Sequence, residues 1–236
     1  KTSFEFFLAG HLECFKHIGG MARCHRYDNL KSVVLKRAPE IEYNPQFLDF
    51  ARFYGFSIHV CNPYSGNEKG RVERLIRDIR VFLYAEAFDS LGGLNKKFHQ
   101  WLEKRNTAIH RSTLKAPKDL LNQERLIHLP EHHYPPSRII QAAASKTALV
   151  EFETNKYSVP STCAGKALEA VVYPDRIEIC MAGKTVANHK RAFGKGETIQ
   201  NPLHAETLLN RTPQFKMRRI LHVMTDMDQA FKHFFD

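Results

Sequence analysis

Two acidic side chains occupy positions where an α/β fold could bring them together. Asp28 follows a weak strand pattern over residues 21–27 and precedes a predicted helix at Leu30–Leu35. Glu73 lies one turn into a helix predicted to begin near Asn67. Because strand ends and helix starts converge at one edge of such a sheet, the two carboxylates could hold divalent cations there. Metal ions bound by carboxylate oxygens can stabilise both the attacking and the leaving oxygen of a phosphodiester displacement.

Each of these carboxylates also has a purely structural interpretation. Asp28 could cap the helix that follows it, because Asp and Asn are favoured caps. Glu73 could form an ion pair with Arg77 at i+4, worth a few tenths of a kcal/mol. Surface caps and ion pairs are far more common than catalytic carboxylates, so the spacing alone leaves both interpretations open.

The start of the helix that carries Glu73 is rich in basic residues. Gly70 lies in its first turns, where glycine costs about 1 kcal/mol relative to alanine and often allows a close approach of backbone or ligand. Basic side chains that could contact DNA phosphates there are Lys69, Arg71, Arg74 and Arg77. On charge alone, a solvated basic face explains them equally well.

The composition favours a polyanion as partner. The chain carries 35 Lys and Arg against 25 Asp and Glu, a formal charge of +10. The first residues have no signal-peptide pattern, and no run of 18 apolar residues predicts a membrane span. Five cysteines at wide, irregular spacing argue against a disulfide scaffold and for the cytoplasm. His11, Cys14 and His17 recur at helical spacing, but aromatic neighbours favour packing over a zinc site.

The order of predicted elements indicates an α/β region followed by a β-rich one. Residues 1–90 alternate between helices and strands, and residues 91–130 are predicted to form a helical linker. A Pro-rich linker is expected over 131–145. Short strands separated by turns over 146–195 predict a small all-β barrel. Residues 196–236 are expected to form a helical tail.

Several segments together resemble one family, the IstA-type insertion-sequence transposases. The resemblance covers most of the chain and is most specific over residues 21–84. These transposases belong to the DDE transposases and retroviral integrases, whose catalytic core has a ribonuclease-H-like fold. The segments that carry the resemblance are Tyr27-Asp28-Asn29-Leu30-Lys31-Ser32-Val33-Val34, Asn44-Pro45-Gln46-Phe47, Tyr54-Gly55, Lys69-Gly70-Arg71-Val72-Glu73, Trp101 to Arg111, Pro117 and Tyr157-Ser158-Val159-Pro160.

The resemblance assigns roles to individual residues. It implies that Asp28 and Glu73 are the second and third acidic residues of a metal-binding triad that uses Mg²⁺ or Mn²⁺. The family's first Asp lies upstream of the helix that begins at Thr2, and no acidic residue before Asp28 can replace it. We therefore expect a truncated catalytic core that binds metal fully only in a complete site and is inactive alone. By the same resemblance, Lys31 joins the basic residues near Gly70 as a DNA contact.

The resemblance also implies partners and a place of action. They are the DNA of the element ends and of the target, further copies of the full-length protein and an AAA+ helper ATPase, in the bacterial cytoplasm, with no membrane. The function expected of the full-length protein is metal-dependent DNA cleavage and strand transfer. Two alternatives stay open: a non-catalytic DNA-binding remnant of a mobile element, and a nuclease of the same fold.

Overall fold

The computed structural model describes residues 3–62 and 70–205, and the side chains of Arg71 and Ala205 are not described. The chain divides into two compact units. The strand unit combines Lys1–Cys14 with Tyr134–Asp236, and the mixed unit is Phe15–His133.

The first helix, α1 (Phe4–Ile18), forms where its apolar spacing predicts it. Its stripe is buried at Phe4, Leu8, Leu12 and Phe15. The helix ends at Gly19, whose φ of 74° is the left-handed conformation that glycine adopts without strain.

The mixed unit is built on a pair of parallel strands. Strand β1 (Cys24–Tyr27) pairs with β4 (Ser57–Val60) in parallel register. Between them, β2 (Val34–Lys36) and β3 (Glu42–Tyr43) form a short antiparallel pair. The helix predicted at Leu30–Leu35 is wrong, because a hydrogen-bonded turn leads from Leu30 straight into β2.

Helix α2 (Pro45–Tyr54) connects β3 to β4. The sequence predicts its bounds, with Asn44 as cap, Pro45 at the first helical position and Gly55 at the end. The side chain of Asn44 accepts a hydrogen bond from the backbone N–H of Gln46 at 3.0 Å. Gly55 ends the helix with a φ of 74°. An aromatic core then packs α2 onto its own unit, with ring contacts among Phe15, Phe47, Phe50, Tyr54 and Phe56.

Three further helices complete the mixed unit, namely α3 (Gly70–Ala85), α4 (Leu91–Thr107) and α5 (Pro117–Leu121). Phe82 near the end of α3 is buried and its ring contacts those of Phe88, Phe98 and Trp101. Helical spacing predicts a buried face of α3 formed by Val72, Leu75, Ile76, Ile79 and Phe82, but this is only partly right, since Val72 and Ile76 are exposed.

Seven strands lie in the described part of the strand unit. They are β5 (Arg138–Ala143), β6 (Leu149–Phe152), β7 (Asn155–Ser158), β8 (Ala167–Val172), β9 (Arg176–Met181), β10 (Lys184–Lys190) and β11 (Thr198–Ile199). One sheet has the order β10-β9-β8-β5 and the other β11-β7-β6. Strand β5 lies where the sequence predicted a Pro-rich linker. After β11, the described part of the predicted helical tail holds a short 3-10 helix, Pro202–Ala205.

The predicted small barrel is not closed in the described part of the chain. The two sheets enclose one apolar core that includes Val150, Tyr157, Val172 and Ile177, all with no exposed surface. Only an isolated bridge between Ala144 and Val150 continues the hydrogen bonding from β5 toward β6. Strand alternation predicts a shared core well, but barrel closure depends on pairing between distant strands, which alternation does not reveal.

A buried ion-pair network ties α1 into the strand unit. Arg191 donates from Nη1 to Oε1 of Glu5 at 2.7 Å, and neither side chain is more than 2% exposed. The other Glu5 oxygen lies 3.4 Å from Nε of Arg138. Nη2 of Arg191 also reaches Oε1 of Glu153 at 3.3 Å. Burial raises the pKa of Glu5, but hydrogen bonds, including those from Ser3 and Arg191, and the charge of Arg138 more than offset it and leave the pKa below its ordinary value.

The Tyr157-Ser158 pair has two structural roles in this unit. The buried Tyr157 hydroxyl accepts a hydrogen bond from the N–H of Ala192 at 3.0 Å. Ser158 Oγ accepts one from the N–H of Asn201 at 2.8 Å. Both residues thus fasten the chain after β10 to the strand core.

Candidate active site

Asp28 leaves β1 at the carboxyl edge of the parallel strand pair. Tyr27 and Val60 are the last paired residues of the two strands. One more ladder bond runs from the N–H of Cys61 to the carbonyl of Tyr27 at 2.9 Å. The Asp28 carbonyl accepts from the N–H of Leu30 at 2.7 Å, so the chain turns immediately after the acidic residue. The side chain of Asp28 is exposed.

The predicted capping role of Asp28 is wrong, because a turn and then β2 follow it instead of a helix. Its position at a strand end, which the sequence also predicted, is confirmed. A short polar turn resembled a helix start because Asp and Asn are favoured in both settings.

A single arginine joins the two chain segments that leave this edge. Arg37 donates from Nη1 to the carbonyl of Cys61 at 2.9 Å and to Oδ1 of Asn29 at 2.5 Å. Its Nη2 lies 3.3 Å from Oδ1 of Asn62. Sequence reasoning missed Arg37, because nothing in its local pattern indicates contacts with residues eight and 25 positions away.

Glu73 lies in the first turn of α3, with its side chain exposed. Within the described residues no ion pair joins Glu73 to Arg77, so the structural interpretation of Glu73 as an i+4 partner is not seen. A Cβ atom built on Gly70 would meet nothing within 4 Å, so no described atom approaches this glycine closely.

The basic residues expected to contact DNA are solvent-facing where they are described. Lys31, Arg74 and Arg77 are exposed. Lys69 lies outside the described residues, and so does the side chain of Arg71. Exposed cations on a turn and on a helix can reach phosphates without reading bases.

No group of three or more His, Cys, Asp or Glu side chains is arranged to hold a metal ion among the residues the structure describes. Asp28 and Glu73 are two side chains, fewer than the three that define such a group. That they bind a metal ion together therefore stays a prediction. In the alternative zinc set, His11 Nδ1 donates to the carbonyl of Phe7 at 2.8 Å. Within the described ranges, no helix is long and apolar enough to cross a membrane.

The chain is similar to known transposases over most of its length. Residues 129–201 match the family model described as "Mu transposase, C-terminal domain". The "Transposase for insertion sequences IS1326/IS1353" of Pseudomonas aeruginosa is 32% identical over 201 residues, covering 81% of this chain and 39% of that protein. A "Transposase" of Aminobacter aminovorans is 30% identical, covering 89% of this chain and 43% of its own length.

A third relative is also a transposase of an insertion sequence. The "Transposase for insertion sequence element IS21" of Pseudomonas aeruginosa is 27% identical over 88% of this chain and 55% of its own length. The chain thus spans between 39% and 55% of the length of these three relatives. The resemblance seen in the sequence is confirmed: this chain is homologous to insertion-sequence transposases.

Proposed function

We propose that this chain is part of a transposase that cuts and joins DNA at the ends of an insertion sequence. The observation that carries the proposal is the place of Asp28, which leaves β1 at the carboxyl edge of a parallel strand pair. Such edges are where α/β sheets place their functional groups. The homology to transposases supplies the reaction class, DNA cleavage followed by strand transfer.

We further propose that the mixed unit is part of a ribonuclease-H-like core. A parallel pair of strands connected through α2 and followed by α3 is compatible with part of a ribonuclease-H-like core. In such a core, Asp28 and Glu73 would approach each other at the same sheet edge. The strand unit would then be an accessory module that contacts DNA or protein.

The two carboxylates suit a hard divalent cation. Both side chains are exposed, and Mg²⁺ and Mn²⁺ prefer carboxylate and water oxygens to nitrogen or sulfur ligands. Asp28 and Glu73 would hold the ion, together with ligands from a complete site. When bound, the ion would activate water for cleavage and then a 3′-hydroxyl for joining.

The basic side chains would hold the DNA backbone beside this edge. Lys31 lies three residues after Asp28, and Arg74 and Arg77 lie on the helix that carries Glu73. Lys69 and Arg71 belong to the same proposal through their place in the sequence. Because contacts to phosphates carry no sequence information, this surface would orient DNA and would not select it.

Titration of the 236-residue chain with Mn²⁺, followed by the electron paramagnetic resonance of the unbound ion, tests the metal site. Asp28→Asn and Glu73→Gln should each weaken Mn²⁺ binding at least fivefold. Asp49→Asn is the matched control, because Asp49 is an exposed carboxylate on α2 that pairs with Arg52 at 3.5 Å. Equal binding by all three variants and the unchanged chain would exclude Asp28 and Glu73 as metal ligands.

One observation favours a second candidate, a non-catalytic DNA-binding protein. The whole chain carries a net charge of +10, which favours binding to a polyanion such as DNA. If the chain only binds DNA, Asp28→Asn with Glu73→Gln would leave DNA binding unchanged or slightly tighter, with or without Mn²⁺. Product analysis on DNA with element ends would separate joining, which indicates transposition, from random nicks, which indicate a nuclease.

We also propose protein partners for the full-length protein. By resemblance to the family, the full-length protein would act as a homo-oligomer with an AAA+ helper ATPase in the bacterial cytoplasm. Sedimentation of the full-length protein with DNA of the element ends tests the oligomer.

A further inference from the structure

We infer that Arg37 is a positioning residue, which fixes the carboxyl edge of β1 and β4 so that Asp28 is presented to a metal ion. The inference rests on the proposed function, in which Asp28 and Glu73 are metal ligands. It adds a residue that neither the sequence motifs nor the comparisons assign.

The contacts of Arg37 span the two segments that leave the parallel strands. On one side its guanidinium binds Asn29, the residue directly after Asp28. On the other side it binds the carbonyl of Cys61 and the side chain of Asn62, directly after β4. The two strands have already ended at this point, so the arginine continues the connection that the ladder no longer provides.

The chemistry of the side chain suits this role. A guanidinium is planar, presents several N–H donors at once and has no acceptor atom of its own. Three acceptors on two segments can therefore share one side chain. Lysine has a compact, flexible ammonium group and cannot hold the same fork. Arg37 is itself half-buried, so it is partly shielded from competing water.

Arg37 holds the residue next to Asp28 and the two residues that follow β4. Asp28 is covalently next to Asn29, and the chain that passes Asn62 continues along the sequence to α3 and Glu73. Loss of the guanidinium leaves the turn after β1 and the segment after β4 able to move independently. Groups that orient metal ligands in this way typically contribute about 10-fold or more to metal affinity.

The test compares Arg37→Lys and Arg37→Gln with Arg52→Lys in the 236-residue chain. Arg52 is an exposed arginine on α2 that pairs only locally with Asp49, which makes it a matched control. Arg37→Lys should weaken Mn²⁺ binding about 10-fold, although it keeps the positive charge. The melting temperature should stay close to that of the unchanged chain.

Amide hydrogen exchange separates positioning from general stabilisation. The N–H groups of Leu30 and Cys61, which donate to Asp28 and Tyr27, should exchange faster in Arg37→Lys. The amides in the middle of α2 should keep their protection. Asn29→Ala is a milder second variant, since it removes one acceptor and leaves the arginine in place, and it should shift the same amides less.

Three outcomes overturn the inference, and they are distinguishable. If the unchanged chain binds no Mn²⁺ through Asp28 or Glu73, the metal site of the proposed function fails and the inference fails with it. If Mn²⁺ binds through those carboxylates but the Arg37 variants bind it equally well, only the inference fails. Loss of protection throughout the mixed unit would instead show that Arg37 serves general packing.

Discussion

Tyr27 pairs with Val60 in the parallel ladder of the mixed unit, so the residues that follow them, Asp28 and Cys61, leave the two strands side by side. Parallel pairing gives both strand ends the same direction, whereas an antiparallel pair would have sent them to opposite edges. The edge of this pair is therefore where a carboxylate from the first strand can meet groups carried by the chain after the second.

If Asp28 and Glu73 bind one metal ion or one metal pair, their effects on Mn²⁺ affinity should not be additive. Once Asp28→Asn has disrupted the site, Glu73→Gln should lower the Mn²⁺ affinity much less than it does in the unchanged chain. A double-mutant cycle of Mn²⁺ dissociation constants measures the difference. Strictly additive losses would indicate two independent weak sites and would contradict a shared one.

Arg74 and Arg77 should contribute to DNA affinity through phosphates. Replacing both with serine should lower the salt dependence of binding, reducing the slope of log K against log salt by about 2, since each phosphate contact contributes roughly 0.9. Fluorescence anisotropy with duplex DNA at several salt concentrations gives the slope. Arg52→Ser is the control, because Arg52 is equally exposed but lies on α2 beside Asp49. An unchanged slope in the double variant would remove α3 from the DNA-binding surface.

Glu5→Gln should destabilise the strand unit much more than Glu153→Gln. Both carboxylates contact Arg191, but Glu5 is fully buried and the side chain of Glu153 is 44% exposed. Removing one partner of a buried ion pair typically costs about 3 kcal/mol or more, and an exposed pair about 1 kcal/mol or less. Urea unfolding followed by the near-ultraviolet circular dichroism of the tyrosines compares the two variants. Equal losses would mean that burial does not determine the strength of this network.

The same network predicts how stability depends on pH. The pKa of Glu5 lies below its ordinary value of 4.5 in the folded protein, so the unfolded chain takes up this proton first on acidification. Glu5 therefore stabilises the fold above pH 4.5. That contribution is lost as the pH falls below this value and through the folded pKa. The difference in unfolding free energy between the unchanged chain and Glu5→Gln should stay nearly constant near pH 6 and shrink as the pH falls below 4.5. A difference that stays constant down to pH 3 would refute the assignment.

Gly20→Ala should destabilise the mixed unit. A Cβ atom at Gly20 would lie 2.8 Å from the carbonyl oxygen of Ile127 and 2.9 Å from Cβ of Leu126. Because one of these atoms is backbone, overpacking should cost about 1 to 3 kcal/mol. Gly10→Ala is the control: it is in the interior of α1, its Cβ would meet nothing within 4 Å, and it should gain about 1 kcal/mol. Hydrogen exchange of the Met21 and Ile127 amides, which bond each other's carbonyls, gives the local readout.

Local patterns predicted the elements of this chain better than its long-range contacts. Asn44, Pro45 and Gly55 mark α2 correctly, because capping and turn chemistry act within a few residues. The alternating pattern around Ile58 correctly predicts β4, since one side of a strand packs on a core. The Gly19-Gly20 pair in the sequence predicts the end of α1 without distinguishing the two glycines, and of these two Gly19 adopts the left-handed conformation. Gly20 is instead a close contact with residues 126–127.

Two residues that sequence patterns did not identify, Glu5 and Arg37, form hydrogen bonds with residues far away in the sequence. Glu5 has the spacing of an ordinary residue in the first turn of a helix, yet it is a buried partner of an arginine 186 positions later. Arg37 is similar, since its acceptors are eight, 24 and 25 residues away. Periodicity and propensity report a residue's neighbours in sequence, so they cannot identify such partners. The motif around Asp28 was recognisable because the residues that flank it are contiguous.

The strand unit draws on both early and late parts of the chain, and this sets the order in which it can form during synthesis. Glu5 leaves the ribosome 186 residues before Arg191. At about 5 to 20 residues per second, the carboxylate waits roughly 10 to 40 s for its partner. The mixed unit is contiguous, from Phe15 to His133, so it can fold during that interval. The first turn of α1 meanwhile carries Glu5 without the arginine that pairs with it in the folded strand unit.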